Sequence, residues 1–204
     1  MLTYNRLAPC GALIQGQDVA LISGSDLTNS CTLRATNKLT ATATNLSNAG
    51  LMQANERISL LATESIRNAQ GGIINGKNVS AIARTGDVSN ERTITQQNRT
   101  GKDFGQLTSV VDSGARIEAA NDLTLSAGRD IQNIGSSLTA GGRVDLSAGN
   151  DVVIASAEAD DGMMRKDKRH FWSKTSTTQY GSEVQAGGDL AVSPTALEKA
   201  NCPG

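Results

Sequence analysis

Aromatic residues are scarce: they make up 2% of the 204 residues, with one Trp, two Tyr and two Phe. A core cannot be built on so few large rings, so Leu, Ile, Val and Ala must fill it, which suits a narrow interior. Only 3 prolines occur, and Pro9 and Pro203 lie near the two ends. A middle almost free of proline suits paired strands, because proline cannot donate to a ladder. There is no unbroken apolar run long enough for a transmembrane helix. The opening MLTYNRLAPCGAL lacks the apolar centre of a signal peptide, so an export signal is expected to lie outside this chain. Neither sign of charge dominates: 19 Lys and Arg face 20 Asp and Glu, for a net charge of −1. That balance argues against a general nucleic-acid or anionic-membrane binder. The 3 cysteines include no CxxC pair, and there is one His. No metal site is expected, and no cofactor.

What is present is a repeat. Ile117–Ile154 matches itself when moved by one period: Leu125, Ser126, Ala127, Gly128 and Asp130 fall on Leu146, Ser147, Ala148, Gly149 and Asp151. Self-similarity with a period near 20 residues marks a stacked architecture. Within one unit the apolar residues are Ile117, Leu123, Leu125 and Ile131, then Leu138, Val144, Leu146 and Val152. The step from Leu123 to Leu125 has the two-residue period of a strand. Between these points lie Asn-Asp, Gly-Arg-Asp, Gly-Ser-Ser and Gly-Gly-Arg, residues suited to tight turns. Short strands joined by turns describe one rung of an all-β fold, a parallel β-helix.

The same spacing extends along most of the chain. Aliphatic pairs six apart recur as Leu13/Val19, Leu33/Leu39, Met52/Ile58, Ile73/Val79, Ile117/Leu123, Leu138/Val144 and Val184/Leu190. Seven rungs of about 19–21 residues are expected over residues 1–192, with a non-repeat tail at 193–204. At about 4.8 Å per rung, seven or eight would form a rod roughly 35–40 Å long. A second series places Asn two residues after an aliphatic: Asn29, Asn48, Asn68, Asn90 and Asn133. Stacking brings these into register as a hydrogen-bonded ladder, a structural role. Thr195–Asn201 reads as a helical turn over the open end or as a frayed tail.

Two stretches interrupt the repeat, at 91–114 and 157–182. Each is expected to replace or decorate about one rung, and such excursions often carry a solenoid's binding function. The second contains Arg165, Lys166, Lys168, Arg169, His170, Phe171 and Trp172, a concentrated basic and aromatic run. It is a candidate contact for anionic glycan, lipopolysaccharide or membrane headgroups. The alternative is a solvated hairpin with Trp172 folded back on the solenoid. Cys10 and Cys31 lie about one rung apart, close enough for a disulfide if strands stack; the alternative is two separate thiols near equivalent turns. Asp122, Asp130, Asp145 and Asp151 recur with the rung, as turn formers do, rather than clustering as catalytic carboxylates would.

The segments LTAGGRVDLSAGNDV and LTLSAGRDIQNIGSSL resemble the haemagglutinin repeat of filamentous haemagglutinin-type exoproteins, over about Leu13–Val192. That family includes the effectors of contact-dependent growth inhibition and is exported by bacterial two-partner secretion. The interrupting KDKRHFWSKTSTTQYGS also resembles the segment that breaks such repeats there. The resemblance implies a right-handed parallel β-helix and a secreted or cell-surface parent. It also implies an outer-membrane secretion partner, and a receptor or glycan on a host or neighbouring cell. The family's repeats carry no catalytic residues. The family's secretion domain and a toxin domain are not recognisable in this sequence, which reads as an internal fragment or truncated reading frame. Two functions remain in view: a structural and interaction segment of an adhesin or toxin-delivery stalk, or a parallel β-helix enzyme acting on surface polysaccharide.

Overall fold

The structure is a computed structural model and describes residues 12–194. Among the described residues all regular structure is strand, and no helix is long and apolar enough to cross a membrane. The chain winds as a parallel β-helix. The first four rungs each consist of one long strand and one short strand. They are β1 (Leu13–Ile22) with β2 (Leu27–Asn29), β3 (Thr32–Ala43) with β4 (Leu46–Asn48), β5 (Leu51–Ala62) with β6 (Ile66–Asn68), and β7 (Ile73–Ala83) with β8 (Val88–Glu91). A hairpin of β9 (Ile94–Thr100) and β10 (Phe104–Val111) then leaves the coil. The fifth rung is β11 (Arg116–Ala119), β12 (Leu123–Ala127) and β13 (Ile131–Ile134); the sixth is β14 (Ser137–Ala140), β15 (Val144–Ala148) and β16 (Val152–Ala155). A second hairpin, β17 (Ala157–Lys166) and β18 (Phe171–Tyr180), precedes β19 (Glu183–Ala186) and β20 (Leu190–Pro194) of the seventh rung.

Like stacks on like. One sheet runs β1-β3-β5-β7-β11-β14-β19, with β12, β15 and β20 continuing from the far half of β7. A second parallel sheet runs β2-β4-β6-β8-β13-β16. The first six rungs therefore each offer two stretches to the first sheet and one to the second. Alternate side chains point inward, so β5 buries Met52, Ala54, Ile58, Leu60 and Ala62. The widest buried side chains, among them Leu39, Ile58, Leu123, Leu125 and Leu138, form continuous columns along the axis. Burying each such side chain stabilises by about 1.5–3 kcal/mol. Ala35, Ala54, Ala119 and Ala140 form a buried column of small side chains at the corner.

Two expected rung openers are off by one residue. Ile14 pairs with Leu33, and Ile74 pairs with both Met52 and Ile117, so Leu13 and Ile73 are not in the column. The cause is at the corner. Register shifts occur between Gly16 and Asp18 and between Ala54 and Arg57, where rungs one and four turn with one residue fewer than their neighbours. Both short corners use glycine in the alanine column. A Cβ on Gly76 would lie 3.2 Å from Ile58 Cγ1 and 3.3 Å from the Ala54 carbonyl oxygen, so the tighter turn would be crowded by one. A one-residue slip would face every side chain of the strand the wrong way; the shift is absorbed before Val19 and Val79, which sit in the expected register.

The inserts replace no rung. β7 pairs directly with β11, and β14 with β19, across the two interruptions. The last strand continues to Pro194, opposite Ala148, slightly beyond the expected boundary at 192. Cys10 and Thr195–Asn201 lie outside the described residues.

Candidate functional site

The two hairpins, separated by two rungs in sequence, join. Their strands form one antiparallel sheet in the order β18-β17-β10-β9. β10 meets β17 through Phe104↔Arg165, Gly105↔Met164, Gln106↔Met163 and Leu107↔Gly162. Below these pairs the Ser109 amide donates to Asp161 Oδ1 at 2.7 Å, and the Ser109 hydroxyl donates to the Asp160 carbonyl at 2.6 Å.

The base of this sheet is fastened to the solenoid by Arg92. Its Nε donates to the Gly135 carbonyl at 3.0 Å, and its Nη1 to the Asp112 carbonyl at 2.8 Å. Its guanidinium carbon lies 4.6 Å from the centre of the Tyr180 ring. Gly135 has φ of 59°, and a Cβ there would come within 2.5 Å of the Ala157 methyl, so the contact requires glycine. Ala157 and Ala159 are buried, while the strands beyond them are exposed.

The far end carries the basic and aromatic residues. Lys166 pairs with Phe171 and Arg165 with Trp172, on either side of the turn Asp167–His170. Asp167 Oδ1 accepts from the amides of Arg169 and His170, both at 2.7 Å. Those two amides, together with His170, hold its carboxyl below the ordinary range, although burial works slightly the other way. A shallow cleft of about 440 Å³ opens here, lined by Phe104, Arg165, Lys166, His170 and Trp172, with Asp103 and Asp167. Trp172 is not folded back on the solenoid. It stands opposite Arg165, in the same row as Phe104 of the other hairpin. Phe104 was not anticipated as part of the surface. The available signal was that both Phe and the one Trp fall in the interruptions.

The asparagines lie inside. Asn29 Nδ2 donates to Asn48 Oδ1 at 2.7 Å, Asn48 to Asn68 at 2.8 Å, Asn68 to Asn90 at 2.9 Å and Asn90 to Asn133 at 2.8 Å. Each amide also donates to backbone carbonyls, as Asn68 does to Gly72 and Arg116. At the sixth rung Ile154 takes the ladder position, and Asn133 donates instead to the carbonyls of Ser136 and Glu183. Among the described residues no buried side-chain nitrogen or oxygen lacks a partner.

The turn carboxylates are engaged in the same manner. Asp130 Oδ1 accepts the Asp151 amide at 3.1 Å, Asp87 Oδ1 accepts the Asp130 amide at 3.1 Å, and Asp122 Oδ1 accepts the Arg143 amide at 2.9 Å. Asn45 and Ser65 extend the Asp87 column, taking the amides of Ser65 and Asp87. These side chains each cap the next rung's turn rather than converging on a substrate. Cys31 is disulfide-bonded. Among the described residues no group of His, Cys, Asp and Glu could hold a metal ion.

Residues 106–170 match the family described as Hemagglutinin repeat. The chain is also 36% identical over 184 residues to the tRNA nuclease CdiA of Escherichia coli O6:K15:H31 (strain 536 / UPEC), covering 84% of this chain and 6% of that protein. The chain belongs to the haemagglutinin-repeat family of filamentous haemagglutinin-type exoproteins. Further relatives carry other names. It is 32% identical over 170 residues to Toxin CdiA of Escherichia coli, covering 81% of this chain and 5% of that protein. It is 34% identical over 135 residues to the 16S rRNA endonuclease CdiA of Enterobacter cloacae subsp. cloacae, covering 63% and 4%. The haemagglutinin-repeat chain thus spans only a small part of the curated relatives it matches, 4–7% of their length. The likeness lies in the repeat, and the nuclease names belong to those whole proteins. No solved structure matches the chain.

Proposed function

We propose that this chain serves as a structural and interaction segment of a secreted, cell-surface exoprotein that adheres to, or delivers a toxin by contact with, another cell. The rungs supply a stiff rod whose stability is nearly additive along its axis, so length can vary without altering the core. The paired hairpins supply a surface held off that rod, for a receptor or glycan on a host or neighbouring cell. An outer-membrane secretion partner would export the whole protein. The observation that carries this reading is the unbroken stacking of β7 on β11 and β14 on β19 past both hairpins. The coil bears load, and the inserts are free for contact. The polysaccharide-cleaving alternative finds no support: of the recurrent carboxylates, Asp122 and Asp130 bond backbone amides of the next rung and Asp145 pairs with Arg143.

The test is made in a full-length exoprotein carrying this segment. Excising the two hairpins is expected to leave surface display intact and to lower attachment to target cells. Excising part of a rung is expected to abolish display through misfolding. Attachment unchanged without the hairpins, or glycan cleavage by the purified chain, would overturn the proposal.

A further inference from the structure

The joined tip of the hairpins has an unusual distribution of apolar and charged groups. Residues directly opposite one another in a sheet share a face. Trp172, Arg165 and Phe104 therefore form one row on one face, with Met163 two residues along β17. The other face carries Phe171 opposite Lys166, with Met164 beyond them. These five apolar side chains are 42–64% exposed. A thin, projecting sheet end is thus apolar on both faces. A protein partner or a glycan lying against a sheet would call for one apolar face. Two are matched by a medium that surrounds the tip.

The charge agrees. Residues 99–105 and 163–174 contain seven Lys and Arg (Arg99, Lys102, Arg165, Lys166, Lys168, Arg169, Lys174) and two Asp (Asp103, Asp167), for a net of 7 − 2 = +5. The whole chain is −1, so the remainder carries −6. A near-neutral total conceals a basic end and an acidic body. Of the two tip carboxylates, Asp167 is engaged by its own turn amides, which leaves Arg165, Lys166, Lys168 and Arg169 in excess. Trp and Phe side chains with Lys and Arg beside them suit a bilayer interface: rings reach the acyl boundary while the cations meet headgroup phosphates.

We propose that the joined tip of the two hairpins is a binding site for a bilayer surface rich in acidic phospholipid. Phe104 and Trp172 serve as rings that enter the interface, and Arg165 and Lys166 contact phosphates. This deepens the reading of the hairpin sheet as a cell-contact surface and rests on it.

Trp172 is the only tryptophan, so it reports from the site without labelling. The full chain is titrated with vesicles of phosphatidylcholine alone and of phosphatidylcholine mixed with phosphatidylglycerol. With the acidic vesicles, Trp172 emission is expected to shift to the blue and to be quenched by bromine on the acyl chains. The response should weaken in high salt. Arg165→Glu changes the tip by two charges and is expected to weaken binding about 25-fold, at roughly fivefold per charge. Phe104→Ser lies in the other hairpin and should weaken binding as well. Unchanged thermal unfolding will show that both variants fold. Absence of a Trp172 response to acidic vesicles would overturn the proposal, as would an equal response to soluble anionic polysaccharide or inorganic phosphate. A Phe104→Ser variant that binds normally would overturn the shared tip. If hairpin excision lowers cell attachment while vesicles fail to bind, the contact surface stands and its lipid ligand falls.

Discussion

Arg92 joins the two inserts at their base, its guanidinium 4.6 Å from the Tyr180 ring of one and bonded to the Asp112 carbonyl of the other. A third contact, to the Gly135 carbonyl, fixes both to the coil. Arg92→Ala is expected to cost about 1–3 kcal/mol, from a cation–π contact and two charge-assisted hydrogen bonds. Lysine should restore little, because a single ammonium cannot serve two carbonyls and a ring at once. Amide exchange should quicken in β9, β10, β17 and β18 while β3, β5 and β7 stay protected. Equal quickening throughout would mean that Arg92 supports the coil and not the hairpins.

The asparagine ladder predicts a gradient along the axis. Asn68 is fully buried, accepts from Asn48 and donates to Asn90, Gly72 and Arg116. Asn68→Ala strands buried partners on both sides and should cost about 2–4 kcal/mol in urea unfolding. Among the described residues Asn29 has a ladder neighbour on one side only, so Asn29→Ala should cost roughly half as much. Similar losses at the two positions would count against a cooperative ladder.

How much of this was legible in the sequence depends on what enforces each feature. The columns at Val19, Leu39, Ile58 and Leu123 could be read because the interior admits only aliphatic side chains at a fixed step. The Asn ladder could be read because a buried amide must find hydrogen-bond partners, and stacking brings the equivalent amide of the next rung into register. The openers at Leu13 and Ile73 were misread by one residue, since two adjacent aliphatics hide which one faces inward. The glycine-lined short corner that decides it acts through space, at Ile58 Cγ1. The meeting of Phe104 with Arg165 was invisible: no period links two inserts, and their pairing depends on where the coil holds their bases.

Core and insert should differ in their tolerance of charge. Leu146 is fully buried in the stack, whereas Met164 is 42% exposed. Leu146→Asp places an unpaired charge in an apolar column and is expected to unfold the chain or cost at least 4 kcal/mol. Met164→Asp should stay within about 1 kcal/mol. Thermal unfolding of the two variants distinguishes them, and equal losses would refute the assigned register.

The Asp87 column predicts a dependence on acid. The Arg129 guanidinium bonds Asp87 in a bidentate pair and holds its carboxyl below the ordinary 3.8; burial pushes the other way and the Asp130 amide assists Arg129. A lowered folded pKa means the group stabilises the fold above pH 3.8 and loses that contribution as pH falls through the lower, folded value. Asp87→Asn should lower stability at pH 7 and flatten the loss seen as pH falls below 3.8. Arg129 is exposed, so the effect is screened and should shrink in salt. A pH profile identical in shape for both proteins would place the acid sensitivity elsewhere.

The pairing of the two hairpins can be tested covalently. Gln106 and Met163 stand directly opposite on β10 and β17. Opposite residues of an antiparallel pair have Cα atoms about 4.5–5.5 Å apart, within the range a disulfide spans. Gln106→Cys combined with Met163→Cys should therefore oxidise to a cross-link that peptide mapping assigns to these two positions. Keeping Gln106→Cys and moving the second cysteine from Met163 to Lys174, on β18 beyond β17, should abolish it, since β18 is not a neighbour of β10. The cross-link should also tighten Trp172 in its row beside Arg165, seen as slower rotation in fluorescence anisotropy. Cross-linking with Lys174→Cys at the same rate would mean that the hairpins move independently and meet only by chance. In that case Phe104 and Trp172 would belong to separate surfaces.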